Sequence, residues 1–332
     1  MLINMNHVYK DIISIRNLCE AWREFVRGKK SKKDVIEFSL YLSENILKLH
    51  EELKNKTYKH GEYKAFAISD PKPRDIHKAS VRDRLLHHAI YRVLYPYFDK
   101  KFIYDSYSCR NFKGTHRPLN RFKQFFRQVS KSNKVTCWVL KCDIKKFFAN
   151  IDHDILIQIL KKHISDPDTI WLLERIITSF CSPMSRLNLD IGLPLGNLVS
   201  QLLVNIYMNE FDQYIKHKLK IKCYIRYADD FVIFASDRKY FTLLLPVIHE
   251  FLAEKLKLAL HPDKVFIKTL SSGVDFLGWV HFPNQRILRT TTKRRMLKNL
   301  SAGSSKETIA SYHGLLKHGN THKLKEIALK QV

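Results

Sequence analysis

The chain has 332 residues, of which 45% are hydrophobic and 12% aromatic, and its formal net charge is +26. This composition excludes a disordered basic tail, and the charge predicts a polyanionic partner, because counterion release contributes much of such binding. The six cysteines form no Cys-x-x-Cys pair, which predicts reduced thiols and no zinc site. No secretory signal is visible and charges interrupt every apolar stretch, so we expect a cytoplasmic protein without a membrane segment.

The predicted elements fall into four consecutive pieces. Residues 1–60 should be helical, because apolar residues between Phe38 and Leu53 recur near helical spacing. A strand pair interrupted at residues 70–74 should follow, and then a helix from Val81 to Leu94. Residues 120–270 alternate predicted helices and strands, and the remainder gives a short hairpin and a very basic segment.

Three aspartates in the central piece follow or separate strand-like runs. Asp229 and Asp230 lie between the β-prone runs 223–227 and 231–234, on the predicted turn of a hairpin. An isolated Asp-Asp pair there would more often serve turn formation. Asp143, however, ends another apolar run. Two strands that each end in aspartate are the minimum scaffold for a two-metal phosphoryl-transfer site.

Five segments resemble motifs of reverse transcriptases, in the order in which that family has them, and the similarity covers roughly residues 60–300. They are residues 143–148, 192–201, 227–230, 256–264 and 273–279. The resemblance implies an α+β right-hand polymerase fold. Its expected parts are an N-terminal helical extension at 1–60, fingers and palm at 61–270, and a primer grip with a basic thumb at 271–332.

The resemblance also implies RNA-directed DNA polymerase activity with two Mg²⁺ ions, or Mn²⁺ in their place. Asp143 and Asp229 would then bridge both metals, Asp230 would be a weaker or indirect ligand, and the carbonyl of Ile144 would complete one coordination sphere. Magnesium prefers such hard oxygen ligands and shares them with substrate phosphates. The expected partners are an RNA template, a primer and deoxynucleoside triphosphates.

Further residues are expected to contact the incoming nucleotide. Phe148 matches the family's steric gate against a ribose 2′-OH, although either Phe147 or Phe148 should belong to the core. The other expected nucleotide contacts are Lys72, Arg74, Leu195, Gly196, Gln201 and, near the leaving pyrophosphate, Lys264.

A third group is expected to contact the nucleic acid. It comprises Arg82, Arg84, Arg110, Tyr227, Gly278, Trp279, Arg289, Lys293, Arg294 and Arg295. For the first three arginines a salt bridge is an equal alternative, since Asp83 is adjacent to two of them. Asp152 and Asp154 precede an apolar helical run and indicate a helix start instead of a metal ligand.

The second motif departs from most reverse transcriptases, which have Gln before the glycine and Ser-Pro at the end. Here Leu195 precedes Gly196, and Ser200 and Gln201 end the segment. This form resembles the reverse transcriptases of diversity-generating retroelements. It implies error-prone copying of a template-repeat RNA (mutagenic retrohoming), with a small helical accessory protein as partner.

Two alternatives remain open. One is a reverse transcriptase of another bacterial lineage, either group II intron-like, retron or antiphage defence. The other, less favoured because all three aspartates are intact, is a non-catalytic RNA-binding protein with a polymerase fold.

Overall fold

The described chain forms two compact units, each built from several segments. In this computed structural model the described residues are 8–69, 73–182 and 190–330. The first unit comprises Met1–Tyr104, Ile144–Lys220 and His249–Ala259, and the second comprises Asp105–Asp143, Ile221–Ile248 and Leu260–Val332. The predicted division at residues 60 and 270 follows different boundaries and stays a prediction.

The described residues form mixed helices and antiparallel sheets, as expected for an α+β fold. The helices are α1 (Val8–Ile13), α2 (Ile15–Phe25), α3 (Lys33–Leu40), α4 (Leu42–Lys54), α5 (Val81–Asp99), α6 (His116–Val129), α7 (His153–His163), α8 (Pro167–Ile177), α9 (Leu198–Gln213), α10 (Arg238–Leu256), α11 (Thr290–Ser301), α12 (Lys306–Leu316) and α13 (His322–Lys330). The strands are β1 (Lys64–Ile68), β2 (Arg74–Lys78), β3 (Trp138–Asp143), β4 (Tyr224–Tyr227), β5 (Asp230–Ala235), β6 (Phe266–Thr269), β7 (Val274–Phe276), β8 (Trp279–His281) and β9 (Arg286–Leu288).

In the first unit, the N-terminal helices pack on α5 through apolar faces. Leu18 and Phe25 of α2 are buried, and Asn17 donates a hydrogen bond to the carbonyl of Ala89, 3.1 Å away in α5. Arg92 of α5 forms ion pairs with two glutamates of α2. The predicted helical structure is therefore confirmed for helices α1 to α4, and a separate N-terminal extension stays a prediction.

The predicted strand pair is also present in the first unit. β1 and β2 pair antiparallel in a register that sets Lys64 opposite Lys78. Lys72 lies outside the described residues, and Arg74 begins β2 with an exposed side chain. Asp152 caps α7 by accepting a hydrogen bond from the amide of Ile155 at 3.0 Å, which confirms its helix-start role.

In the second unit, a four-stranded antiparallel sheet has the order β4-β5-β3-β6. Strands form here because runs of β-branched and aromatic residues are buried on both faces of the sheet, with the consecutive Val232 and Ile233 of β5 both fully enclosed. Helix α6 covers this sheet, and its Phe122 meets Phe234 at 4.7 Å between ring centroids. The hairpin of β4 and β5 turns at Ala228, which adopts the positive φ of +56° that two-residue turns require.

The C-terminal part of the second unit differs from the expected hairpin and thumb helix. Residues 286–288, in the very basic segment expected to form the thumb, form strand β9, which completes a three-stranded sheet of order β7-β8-β9. The reason is the burial of Leu288, 6% exposed, in the cluster around Trp279. The basic helix α11 begins only at Thr290.

All six cysteines are free thiols. None of the described helices combines the length and apolar character that crossing a bilayer requires.

A buried histidine of the second unit should make folding stability depend on pH. Burial, followed by the charge of Arg286, lowers the pKa of His281 from 6.5 to about 3. The unfolded chain therefore binds the proton first, so the contribution of the neutral ring is complete above about pH 6.5 and is lost as the pH falls toward 3. We expect the free energy of unfolding to fall by up to about 1.4 kcal/mol per pH unit from this residue.

Chemical denaturation of wild type and His281→Phe between about pH 7 and pH 5 measures this slope. In His281→Phe, the slope of the free energy of unfolding against pH should be smaller by the contribution of about one histidine. His249 is exposed, and His249→Phe is the matched control that should keep the wild-type slope. Equal slopes in wild type and His281→Phe would contradict the prediction.

Candidate active site

The structure brings the three predicted aspartates together at one end of the central sheet. Asp143 ends β3 and Asp230 begins β5, and the two residues are directly opposite each other in the antiparallel register. Asp229 precedes Asp230 in the turn that joins β4 to β5. Tyr227, the last residue of β4, pairs with Asp230 from the other side. The four-residue motif is thus a hairpin turn, as predicted.

Two lysines contact these carboxylates. The ammonium of Lys264 lies 2.8 Å from Oδ1 of Asp143, and that of Lys141 lies 3.4 Å from Oδ2 of Asp230. The amide of His261 donates to the carbonyl of Asp143 at 2.8 Å and so ties the segment that carries Lys264 to the end of β3. Lys264, expected near the leaving pyrophosphate, is therefore next to the carboxylate of Asp143.

Sequence reasoning missed Lys141. The signal was present in the two-residue period of a strand, which puts residues 141 and 143 on the same face of β3. A lysine on that face reaches across to β5, where it contacts Asp230.

The environment of Asp230 disfavours its charge. Burial raises its pKa to about 7, and the carboxylates of Asp143 and Asp229 add to the rise while Lys141 opposes it. Its Oδ1 is buried and, among the described residues, has no hydrogen-bond partner. A buried carboxylate oxygen without a partner is costly unless a cation or donor approaches it.

These residues fit the divalent cations that the aspartate pattern predicts. Asp143, Asp229 and Asp230 supply hard carboxylate oxygens, and the carbonyl of Ile144 comes next in the chain. In the described part of the chain, no group of three or more His, Cys, Asp or Glu side chains is placed so that it could hold a metal ion, so the three aspartates would have to approach one another when a cation binds. With Lys264 and Lys141 in contact with two of the carboxylates, metal binding would exchange ammonium contacts for metal–oxygen bonds.

The first unit contains the loop that opens α9. The carbonyl of Leu195 accepts a hydrogen bond from the amide of His77 at 3.1 Å, and Asn197 donates to the carbonyl of His77 at 2.9 Å. Gly196 has φ of +106°, and a Cβ there would lie 2.9 Å from Cγ2 of Ile76. The loop therefore lies against β2 in a position that only glycine permits.

A cavity of about 400 Å³ lies beside this loop. Two residues predicted to contact nucleotide, Gly196 and Gln201, line it together with Lys29, Lys78 and Arg84. Motif reasoning missed Lys29 and Lys78, and the only signal for Lys78 was its place at the end of a predicted fingers strand. The cavity combines cations with the side chains expected beside a nucleotide or template.

Two of the predicted nucleic-acid contacts are engaged in ion pairs. Arg82 lies 2.8 Å from Glu52, and Arg84 lies 2.5 Å from Asp34. For these two arginines the salt-bridge alternative is the one observed. Arg110, half-buried, donates to the carbonyl of Ser106 at 2.8 Å.

The two phenylalanines after Asp143 take different places. Phe147 is 3% exposed, whereas Phe148 is half-buried and touches Phe147 edge-on. The amide of Leu193 donates to the carbonyl of Phe148 at 2.8 Å. The expectation that one ring is core is confirmed for Phe147, and the sugar-selecting role of Phe148 stays a prediction.

Residues of the predicted primer grip and thumb are divided between core and surface. Trp279 is 1% exposed, so its indole packs in the core and a direct contact between this ring and nucleic acid is contradicted. Gly278 forms the preceding turn with φ of +82°. Arg289 pairs with Asp275 at 2.9 Å. Of the remaining predicted thumb contacts, Lys293 and Arg294 are exposed and Arg295 is half-buried.

Magnesium should stabilise the folded protein through the aspartates. A ligand that binds only the folded state raises the free energy of unfolding by about 2.7 kcal/mol when its concentration is about 100 times its dissociation constant. We expect the melting temperature of wild type to rise with magnesium concentration and that of Asp143→Asn to rise much less. Asp154, exposed in the first turn of α7, supplies the control Asp154→Asn, which should respond as wild type does. An equal magnesium effect in Asp143→Asn would place the ion elsewhere.

Several known proteins are similar to this chain in sequence. Protein YkfC of Escherichia coli (strain K12) is 26% identical over 253 residues, which cover 63% of this chain and 63% of YkfC. Group II intron-encoded protein LtrA of Lactococcus lactis subsp. cremoris is 23% identical over 321 residues, which cover 77% of this chain and 52% of LtrA. The putative COX1/OXI3 intron 2 protein of Saccharomyces cerevisiae is 22% identical over 60% of this chain and 29% of its own length. The chain thus spans less than two-thirds of each relative.

The family comparison covers β1 and β2, the three aspartates, and strands β7 and β8 of the three-stranded sheet. Residues 59–281, more than half of the chain, match the family described as "Reverse transcriptase (RNA-dependent DNA polymerase)". The chain belongs to the reverse transcriptase family.

Proposed function

We propose that this chain is an RNA-directed DNA polymerase whose Asp143, Asp229 and Asp230 hold two magnesium ions. The observation that carries the proposal is the direct pairing of Asp143 with Asp230 across β3 and β5, with Asp229 in the adjoining turn. A non-catalytic RNA-binding protein has no use for three carboxylates gathered in a basic chain, since each of them repels the phosphates of its ligand.

In the proposed reaction, the chain's own residues position charge. The register of β3 and β5 fixes Asp143 and Asp230, and Lys264 compensates the charge of Asp143. Bound magnesium would stabilise the charge that develops on the attacking and leaving oxygens. Lys264 is also close enough to Asp143 for its ammonium to serve the departing pyrophosphate beside that carboxylate.

The substrates proposed are a primed RNA template and deoxynucleoside triphosphates. Arg74 and the loop at Leu195–Gln201 would contact the nucleotide, as would Lys72 beyond the described residues. Phe148 would exclude a ribose 2′-OH, since a half-buried ring beside the sugar leaves no room for that group. The exposed Lys293 and Arg294 of α11 would bind the phosphate backbone.

We further propose that the enzyme copies with errors at adenines, as in a diversity-generating retroelement, with a small helical accessory partner. Leu195 supports this subtype. Its backbone is held on β2 through the hydrogen bond from His77, while its half-buried side chain offers neither donor nor acceptor. An aliphatic surface discriminates weakly between paired and mispaired nucleotides, by about 1–3 kcal/mol, whereas a lost hydrogen bond can discriminate far more.

The second candidate is a reverse transcriptase of group II intron type. It is favoured by the similarity to LtrA over 77% of this chain. The two candidates share the polymerase chemistry and differ in template and fidelity, so the error spectrum separates them.

The catalytic role of the aspartates is tested by Asp229→Asn. With primed RNA template, deoxynucleotides and magnesium, this variant should lose primer extension by several orders of magnitude, because the carboxylate acts through the metals. Its circular dichroism spectrum and RNA affinity should remain those of wild type. Asp154→Asn is the matched control and should extend normally.

Wild-type extension by folded Asp229→Asn would overturn the catalytic assignment. Assays with and without the accessory protein separate a missing partner from a missing activity.

The fidelity of copying is tested at Leu195. Leu195→Gln should lower misincorporation opposite template adenines by about ten-fold, the factor that about 1.4 kcal/mol of added discrimination supplies. Leu195→Met keeps the volume without adding a hydrogen-bonding group, so it should keep the wild-type error rate. Sequencing of products copied from one adenine-containing template by all three proteins gives these rates.

Two outcomes would count against the proposal in different ways. Equal adenine error rates in wild type and Leu195→Gln would remove Leu195 from the mechanism. A low error rate in wild type with its partner present would favour the intron-type enzyme.

A further inference from the structure

A second cavity lies in the second unit, at the turn that joins β8 to β9. Its volume is about 180 Å³, which is below the about 300–1,000 Å³ of pockets for drug-sized ligands. Phe122 and Phe126 of α6 form an apolar wall, and the turn residues 282–285 and the segment 318–320 form the others. None of the proposed catalytic residues lines it.

The walls of this cavity are fixed by hydrogen bonds and close packing. The amide of Asn320 donates to the carbonyl of Arg286 at 2.8 Å, and the amide of Arg286 donates to Oδ1 of Asn320 at 3.2 Å. Gly319 allows this approach, because a Cβ there would lie only 2.7 Å from the carbonyl oxygen of Arg286. The amide of Phe282 closes the turn by donating to the carbonyl of Gln285 at 2.8 Å. The cavity is therefore formed before any ligand arrives.

His281 gives the cavity an unsatisfied polar group. The residue lines the cavity, is 4% exposed, and its Nε2 has no hydrogen-bond partner among the described residues. The ring is hydrogen-bonded to the backbone of Phe276, and burial keeps it neutral by lowering its pKa to about 3. In a neutral imidazole whose other nitrogen donates to a carbonyl, Nε2 carries a lone pair and can only accept.

The remaining lining is aromatic, amide-bearing and cationic. Phe122 lies 4.1 Å from the ring of His281 between centroids, and His318 stacks on His116 at 3.5 Å. Lys123 and Arg286 supply positive charge, and the described residues that line the cavity include no acidic one. Flat apolar surfaces, amide groups and flanking cations are what proteins use to hold a splayed base of single-stranded RNA together with its phosphate.

We propose that this cavity binds one unpaired RNA base and prefers bases with an exocyclic amino group to uracil. Adenine and cytosine have an exocyclic amino group that can donate a hydrogen bond to Nε2 of His281. Uracil has a carbonyl oxygen in the corresponding position, which cannot donate. The proposal rests on the proposed function only in taking RNA as the ligand. It adds a site outside the active centre that holds the template by a base instead of its backbone.

The test compares binding of short oligoadenylate and oligouridylate to the full-length chain by fluorescence anisotropy. His281→Phe keeps a buried ring of similar size and removes the acceptor. We expect it to weaken oligoadenylate binding about three- to ten-fold, the effect of one hydrogen bond, and to leave oligouridylate binding unchanged. Equal effects on both RNAs, or none on either, would overturn the proposal.

Charge is controlled separately. Lys123→Gln at the cavity should weaken the binding of both RNAs more than Lys134→Gln does. Lys134→Gln removes the same charge from an exposed position of the same unit outside the cavity. If the two variants lose equal RNA affinity, Lys123 contributes only to the general positive charge of the surface. That result would contradict a phosphate contact at the cavity.

Ultraviolet cross-linking of oligoadenylate to wild type supplies a measurement that needs no variant. Peptide mapping should find the cross-link in the cavity walls, at residues 122–126, 281–286 or 318–320, and cross-links only in other segments would overturn the proposal even if His281→Phe failed to fold. Primer extension by wild type is recorded in parallel. A wild type that binds in the cavity but never extends a primer would refute the proposed function and leave this inference standing.

Discussion

The pairing of Asp143 with Asp230 across two central strands is the constraint on which the site depends. Like charges directly opposite in an antiparallel pair are destabilising, and here one of them is largely buried. Lys141 and Lys264 offset that repulsion from within the same unit. The sheet order, the positive φ at Ala228 and the tie between His261 and Asp143 all serve to hold an arrangement that would otherwise separate.

Local patterns predicted the elements that carry this site. The β4–β5 turn was predictable because β-prone residues flank a short polar pair, and the start of α7 because Asp152 can cap it. Such features depend on neighbours within a few positions in the chain. The fingers strands and the amphipathic N-terminal helices were predictable for the same reason.

Features that depend on distant partners were not predictable in this way. The adjacent Asp83, which contacts Arg82 at 3.2 Å, was visible in the sequence. The other partners of Arg82 and Arg84 are Glu52 and Asp34, 30 and 50 positions away, and nothing in the sequence indicated them. Trp279 looked like a contact residue, but the packing of Gly319 and Leu288 around it encloses the indole. The third strand β9 likewise formed because its apolar residue found a place in a core assembled from separate segments.

Asp34 in α3 links the N-terminal helices to the charge of the cavity beside the loop that opens α9. Its carboxylate contacts Lys78 at 2.6 Å and Arg84 at 2.5 Å, and both of those cations line the cavity. Partly exposed pairs of this kind contribute little to stability, about 0–1 kcal/mol each, but they set the local field. Neutralising Asp34 alone would therefore make the surface of this cavity more cationic, because Lys78 and Arg84 would lose this carboxylate. A chain so changed would retain host nucleic acid more strongly during purification and distinguish less between its template and any other polyanion.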